Sequence, residues 1–410
     1  MEFKIKTPEL RLIDEEVFKL NKRYAMAVSS LRGFPNIYAA KEIMEKIRDL
    51  KSKIEKVKTK DKFETLLIEN ILKNFESQQV DLEYFTTRKK ENIDSVFEKI
   101  LGERSLEIIK DNIKTFDYKV LWEFYISYED YTYRQLPYDD ESLREKFKEI
   151  LANLKIDVLH YAEKYFNLPK DYEFDLILGQ PYSERTYFNP TTKRMEISPV
   201  AFFAFKNENK IKINICAVIM ELFHELLGHG RHEFNSRPLP LILQDNSIST
   251  ALYPTHIHAE GIAQIAKNEA IDFMKKYKEK YQIEDDYIKQ RELYIKTEKQ
   301  NSFWAYYQYL QLKNLEDSSL NIEKEFFKLT NNYGLYLLYS NSPQSSLSCI
   351  RNATYPIGQY YLNLLLDNIK KEFGESYFQR NHALINQAIS TGVWHFKVLP
   401  KFVKLFLKNQ

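Results

Sequence analysis

Two histidines five residues apart, with a carboxylate beside the first, constrain this chain more than any other feature: His224-Glu225-Leu226-Leu227-Gly228-His229. A regular α-helix turns about 100° per residue, so positions i and i+4 lie roughly 40° apart and i and i+5 roughly 140°. Side chains separated by the larger angle cannot share a ligand. A single wider turn, bonded i→i+5, returns them to one face, and such bulges are frequent at functional sites. Gly228 lies where that turn is needed and has no Cβ to resist unusual backbone angles. The spacing therefore predicts a helix bulged at 226–228, with both histidines and Glu225 on the same side.

Those residue types in that pattern point to a metal-assisted hydrolytic site. Neutral imidazoles hold an ion, and an adjacent carboxylate serves as the base that activates water. The familiar arrangement is H-E-x-x-H on a helix. The approach to the motif is helical and apolar, because Ile215, Val218, Ile219, Leu222 and Phe223 recur at helical spacing. Glu221 falls three residues before His224, on roughly its face. The plainer alternative is a core helix whose histidines are satisfied by ordinary hydrogen bonds. It explains one lone histidine better than it explains a pair with a carboxylate between them.

A catalytic zinc takes three protein ligands and keeps a position open. The next candidates lie in Thr255-His256-Ile257-His258-Ala259-Glu260-Gly261, at the start of a helix preceded by Pro254. Five of the chain's eight histidines fall within the 35 residues from His224 to His258. Glu260 and Gln264 share a stripe on an otherwise apolar helix start, where a carboxylate is costly to bury unless it is paired or bound to metal. Glu260 is the expected third ligand. His256 or His258 is the alternative, or else a donor that orients a ligand or touches substrate. His232 falls outside the expected ligand set.

The run 224–229 resembles the H-E-x-x-G-H signature of dipeptidyl peptidase III, a zinc peptidase with the same widened spacing. The wider context is similar to a bacterial family of helical zinc-peptidase-like proteins catalogued as a domain of unknown function. That family carries H-E-x-x-P-G-H, then E-G-W-A, then a C-terminal block with glycine, aromatic and histidine landmarks. Glu260-Gly261-Ile262-Ala263 resembles the second element. Tyr355-Pro356-Ile357-Gly358, the segment 372–378, Asn381-His382 and Gly392 resemble the third. The likeness spans roughly residues 175 to 400. The first motif lacks the family's proline, and Ile262 stands for its tryptophan. The resemblance implies a gluzincin-like metallopeptidase with one zinc ion. It makes His224, His229 and Glu260 the ligands and Glu225 the base.

Two further regions bear on such a site. Between 174 and 198, alternating apolar residues and a turn signal at Asn189-Pro190-Thr191-Thr192 predict a small sheet or hairpin, the one β region expected. Helical zinc peptidases use an edge strand to pair with substrate backbone. By that likeness 183–188 or 194–198 would lie along the substrate; an ordinary packed hairpin is the alternative. Downstream, Arg351, Tyr355, Tyr360 and Tyr361 lie on a predicted helix. Amide hydrolysis develops an oxyanion that hydrophilic donors stabilise. The tyrosines resemble the tyrosine-rich helix of thimet-type oligopeptidases. Tyr355 is the preferred oxyanion donor, with Arg351, Tyr360, His256, His258 and His382 as substrate-binding candidates.

Elsewhere the chain reads as amphipathic helices, with predicted spans 8–32, 36–58, 61–77, 80–101, 104–116, 140–166, 256–281, 284–314, 319–333, 345–373 and 376–390. The expected fold is mainly α, a multi-helical metallopeptidase-like arrangement around a cleft. Residues 1–170 would form one wall, and 171–410 the catalytic half. Sixty Lys and Arg against 58 Asp and Glu give no electrostatic case for nucleic acid or an anionic membrane. Two cysteines make no disulfide framework and suit a reducing, cytoplasmic setting. No apolar run approaches a membrane-spanning length. The expected activity is hydrolysis of short peptides. The other classes open at this point are a zinc hydrolase of a non-peptide amide or ester, and a helical binding or scaffold protein with a vestigial metal site.

Overall fold

Apolar residues at helical spacing, with few glycines to interrupt them, yield a mainly helical architecture. The computed structural model describes residues 3–29, 37–87, 92–116, 131–132, 141–168, 172–179, 186–189, 192–197, 203–206, 210–213, 215–244, 253–297, 301–332 and 348–409. The N-terminal portion contributes α1 (Pro8–Ser29), α2 (Ile37–Ile54), α3 (Lys62–Thr87), α4 (Ile93–Leu101), α5 (Ser105–Lys114) and α6 (Glu141–Phe166). The break expected near 78–79 does not occur, because Ser77, Gln78 and Gln79 are polar without being helix breakers, and α3 runs through them. The next helix starts where a true signal stands: Asn92 Oδ1 accepts the Ser95 N–H at 2.9 Å and caps α4.

Two three-stranded sheets follow. In one, β2 (Asp175–Leu178) and β3 (Tyr187–Asn189) flank β4 (Arg194–Ile197), parallel and antiparallel respectively. This is the sheet expected at 174–198. Its turn residues Pro190 and Thr191, and residues 183–185 and 198, lie outside the described residues. The second sheet was not anticipated: β1 (Tyr131–Thr132) and β6 (Lys210–Ile213) flank β5 (Phe203–Lys206). Its signal is only four residues long on each longer strand, although Lys210-Ile211-Lys212-Ile213 alternates strictly.

The remaining helices are α7 (Ile215–Glu221), continued by a π-helical segment (Leu222–Gly230), then α8 (Arg231–Ser236) and α9 (Tyr253–Lys276). Beyond them come α10 (Asp285–Thr297), α11 (Asn301–Glu316), α12 (Ile322–Thr330), α13 (Ser348–Phe373), α14 (Glu375–Arg380), α15 (His382–Ile389) and α16 (Leu399–Leu407). The helix expected over 284–314 is thus two helices, as is that over 376–390. No helix among the described residues is long and apolar enough to cross a membrane.

Buried apolar side chains form three clusters, and each draws on both halves of the chain. The first joins α1–α3 to α13, α15 and α16; the second joins α6 to the β2–β4–β3 sheet, α7 and the π segment; the third joins α4 and α5 to α11 and α13. Among the described residues, no cluster is confined to 1–170. Helix α9 reaches all three clusters, through Ile262 and Ile265, through Ala266, Ala270 and Phe273, and through Ile257. A helix buried on every side must partner any polar residue it carries. This one carries His256, His258, Glu260, Gln264 and Lys267, all buried.

Glycines set how closely α9 is approached. A Cβ at Gly228 would lie 2.5 Å from Ala263 Cα, so the π segment packs backbone to backbone on α9. On the other side, a Cβ at Gly261 would lie 2.7 Å from the Gly358 carbonyl oxygen of α13. Gly228 has no positive φ. It is required for helix contact, and not for the unusual backbone angle expected of it.

Candidate metal centre

The widened turn is present. Residues Leu222–Gly230 are π-helical, and the Arg231 N–H donates to the Leu226 carbonyl five residues back. The Tyr172 hydroxyl also donates to Leu226 O at 2.6 Å, and Arg231 Nε donates to Leu227 O at 2.8 Å. Both donors are buried, so carbonyls exposed by the wider turn find partners in the interior. The bulge is therefore built in by side chains from outside the motif.

With this turn, His224 and His229 face the same carboxylate. Glu260 Oε2 lies 3.9 Å from His224 Nε2 and 3.8 Å from His229 Nε2. One ligand atom from each of the three residues lies within 4.8 Å of the others. The two imidazoles sit edge to face with centroids 5.0 Å apart. The Nε2–Oε2 separations are too long for hydrogen bonds and shorter than twice the roughly 2 Å zinc–ligand distance. Glu260 Oε2 is buried without a hydrogen-bond partner, a costly state for a carboxylate oxygen that a cation would relieve. The His224 side chain is 12 % exposed, His229 24 % and Glu260 6 %, so His229 is the open side of the cluster.

The electrostatics match the donor set. Burial holds His224 well below the ordinary histidine value, with His229 and Lys267 adding to the effect, so the ring is neutral and its lone pair available. Burial alone would raise Glu260, but the His229 ring and the His256 hydrogen bond outweigh it and hold the carboxyl below the usual range. Glu225 goes the other way. Burial pushes it up to about 7, Glu221 and Glu260 push in the same direction, and His229 and the Phe188 N–H oppose them. That N–H, on β3, donates to Glu225 Oε2 at 3.3 Å.

The other expected site residues separate into two groups. His256 and Tyr355 are brought to the centre. His256 Nε2 contacts Glu260 Oε1 at 3.1 Å, and its ring meets that of Tyr355 edge to face at 6.1 Å. His258, His382 and Tyr360 are placed elsewhere. His258 donates from Nε2 to Ile389 O at 2.8 Å and accepts the Trp394 N–H at Nδ1, which ties α9 to the turn after α15. His382 Nε2 lies 3.5 Å from Glu269 Oε1, nine residues along α9 from Glu260, or roughly 13 Å at about 1.5 Å per residue. Tyr360 is exposed and packs on Tyr361. His232 is buried at Gly392 O. The side chain of Arg351 lies outside the described residues. Of the two segments expected beside a substrate, Arg194–Ile197 is the central strand, paired on both sides and so without a free backbone edge. β3 is one of the sheet's two edge strands, with β2 the other, and it borders the π segment.

Sequence reasoning missed Thr354 and the contact of the Phe188 N–H with Glu225. The Thr354 hydroxyl lies 2.7 Å from His256 Nδ1 across 98 residues of chain, a separation no local pattern reports. The i, i+4 relation of His256 to Glu260 was visible. No protein-family model and no curated protein sequence matches the chain.

Proposed function

We propose that this chain is a zinc-dependent peptidase that hydrolyses short peptides, with one zinc ion held by His224, His229 and Glu260. The observation that carries the reading is the convergence of two imidazole Nε2 atoms, His224 and His229, on a buried carboxylate oxygen that has no hydrogen-bond partner among the described residues. A bound zinc supplies Lewis acidity, which polarises a carbonyl and makes water easier to deprotonate. The rest of the chemistry belongs to side chains. Glu225, with a carboxyl near neutrality, is matched to taking a proton from water and returning it to the leaving amine. The Phe188 N–H holds its Oε2 in place. The edge strand β3 offers an extended backbone beside that base, a surface along which a peptide can lie. Tyr355, half-buried against His256, is assigned the oxyanion. The likeness of 224–229 to dipeptidyl peptidase III and of 260–263 to the E-G-W-A element agrees with this reading. The low cysteine count favours a cytoplasmic setting.

The test is metal content and hydrolysis measured on the same preparation, with free and end-blocked peptides as substrates. Glu225→Gln is expected to keep its zinc and lose about 10²–10⁴-fold in turnover. Full peptidase activity in that variant would overturn the role of Glu225. A wild-type protein that binds no zinc would favour a helical scaffold, and one active only on non-peptide amides or esters would redirect the substrate class.

A further inference from the structure

Glu260 has two oxygens in different situations. Oε2 faces His224 and His229 and has no hydrogen-bond partner. Oε1 is in contact with His256 Nε2 at 3.1 Å. A carboxylate only accepts, so the hydrogen in that contact is on His256 Nε2. The other ring nitrogen, Nδ1, meets the Thr354 hydroxyl at 2.7 Å. Thr354, His256 and Glu260 are all buried, so water does not compete for these positions.

The relay crosses between two helices at their closest point. Thr354 is on α13 one turn before Gly358, and His256 is on α9 one turn before Glu260, next to Gly261. The glycine contact lets a side chain as short as threonine reach across. Longer partners would be needed if α9 and α13 were spaced by side chains on both.

We infer that Thr354 and His256 are positioning residues for the metal: they engage Oε1 of Glu260 and present Oε2 alone as a single-oxygen ligand. This rests on the reading of His224, His229 and Glu260 as a metal site, though not on peptidase activity. The Thr354 hydroxyl holds the ring at Nδ1 and so keeps the Nε2 hydrogen against Oε1. That hydrogen occupies Oε1 and fixes the carboxylate's rotation. Histidine ligands are commonly oriented by a carboxylate or carbonyl; here a histidine orients the carboxylate, by the same physics.

The experiment uses the full chain and zinc itself. Zinc affinity is measured by competition with a chromophoric chelator for wild type, Thr354→Val, Thr354→Ser and His256→Leu. Thr354→Val and His256→Leu are expected to weaken zinc about 10–100-fold, and Thr354→Ser to stay near wild type. Cobalt(II) loaded into the same proteins reads coordination number in its visible absorption. The bands are expected to weaken in His256→Leu, as Oε1 comes free and Glu260 binds through both oxygens. Unchanged zinc affinity and cobalt spectra in folded variants would overturn the inference. Nitrogen-15 NMR of histidine-labelled wild type gives a check that needs no variant. A His256 ring with a hydrogen on Nε2 supports the inference, and one whose Nε2 carries none overturns it. Wild type that takes up neither metal removes the metal site and this inference together. Wild type that binds zinc without cleaving peptides removes only the peptidase reading.

Discussion

Helices α3 and α9 both bury a polar stripe, and the stripes behave differently. The stripe on α3 includes Asn70, Asn74, Ser77, Gln78 and Asp81; that on α9 includes His256, His258, Glu260, Gln264 and Lys267. Each stripe holds one carboxyl with an unpartnered oxygen, Asp81 Oδ1 and Glu260 Oε2. Among the described residues Asp81 receives only the Tyr24 hydroxyl, and burial pushes it up to about 7. Glu260 is surrounded by imidazoles and held low. Burial costs both groups the same kind of energy, and the neighbours decide whether the charged form survives. A neutral Asp81 needs only hydrogen bonds, as in the seam it forms with Tyr24. An ionised Glu260 with one oxygen unpartnered between His224 and His229 is placed to accept a cation.

The sharpest way to break that contrast is to neutralise each carboxyl. Glu260→Gln is expected to weaken zinc by at least about 100-fold, because it removes one of the three proposed ligands, while Asp81→Asn should leave zinc affinity unchanged; chelator competition on both variants checks this. Asp81 has its own signature. Its folded value lies above the ordinary 3.8, so its contribution to stability is fully present below about pH 4 and is lost as pH rises through about 7. Over that window denaturant unfolding should show stability falling by an amount on the order of a few kcal/mol. Asp81→Asn keeps an acceptor for Tyr24 and should flatten the slope. A wild-type slope of the opposite sign would mean that Asp81 is ionised and paired in the folded state.

Smaller effects probe how the α9 face is assembled. Gly228→Ala places a methyl 2.5 Å from Ala263 Cα. Overpacking of this kind costs about 1–3 kcal/mol, and forcing the π segment off α9 should also weaken zinc. Equal stability and affinity in that variant would show that the helices can part freely. Tyr172→Phe removes the hydroxyl on Leu226 O. It should cost about 1 kcal/mol in urea unfolding, because the Arg231 N–H still serves that carbonyl.

Much of the site was legible because it is local. The i, i+5 spacing of His224 and His229 conflicts with a regular helix, and only a π turn resolves the conflict. Glu260 was legible because a carboxylate in an apolar helix start requires a partner. The longer helices and the sheet at 175–197 followed from periodicity. The second sheet was not read, since four-residue strands carry too little periodicity to stand out from helical surroundings. Nor did chain position predict the cores: residues on both sides of 170 enter every cluster.

The sequence by itself therefore determined the candidate ligands, the candidate base and the bulge, because all three follow from spacing along one or two helices. Tertiary structure decided which polar residues join them. Among neighbours on α9, His256 faces Glu260 while His258, two residues on, faces Ile389 and Trp394. Side chains two apart on a helix point about 200° apart, so only the elements packed on each side give them different roles. Thr354 and Phe188 entered by the same route, delivered by α13 and β3 to a helix from which they are distant in the chain.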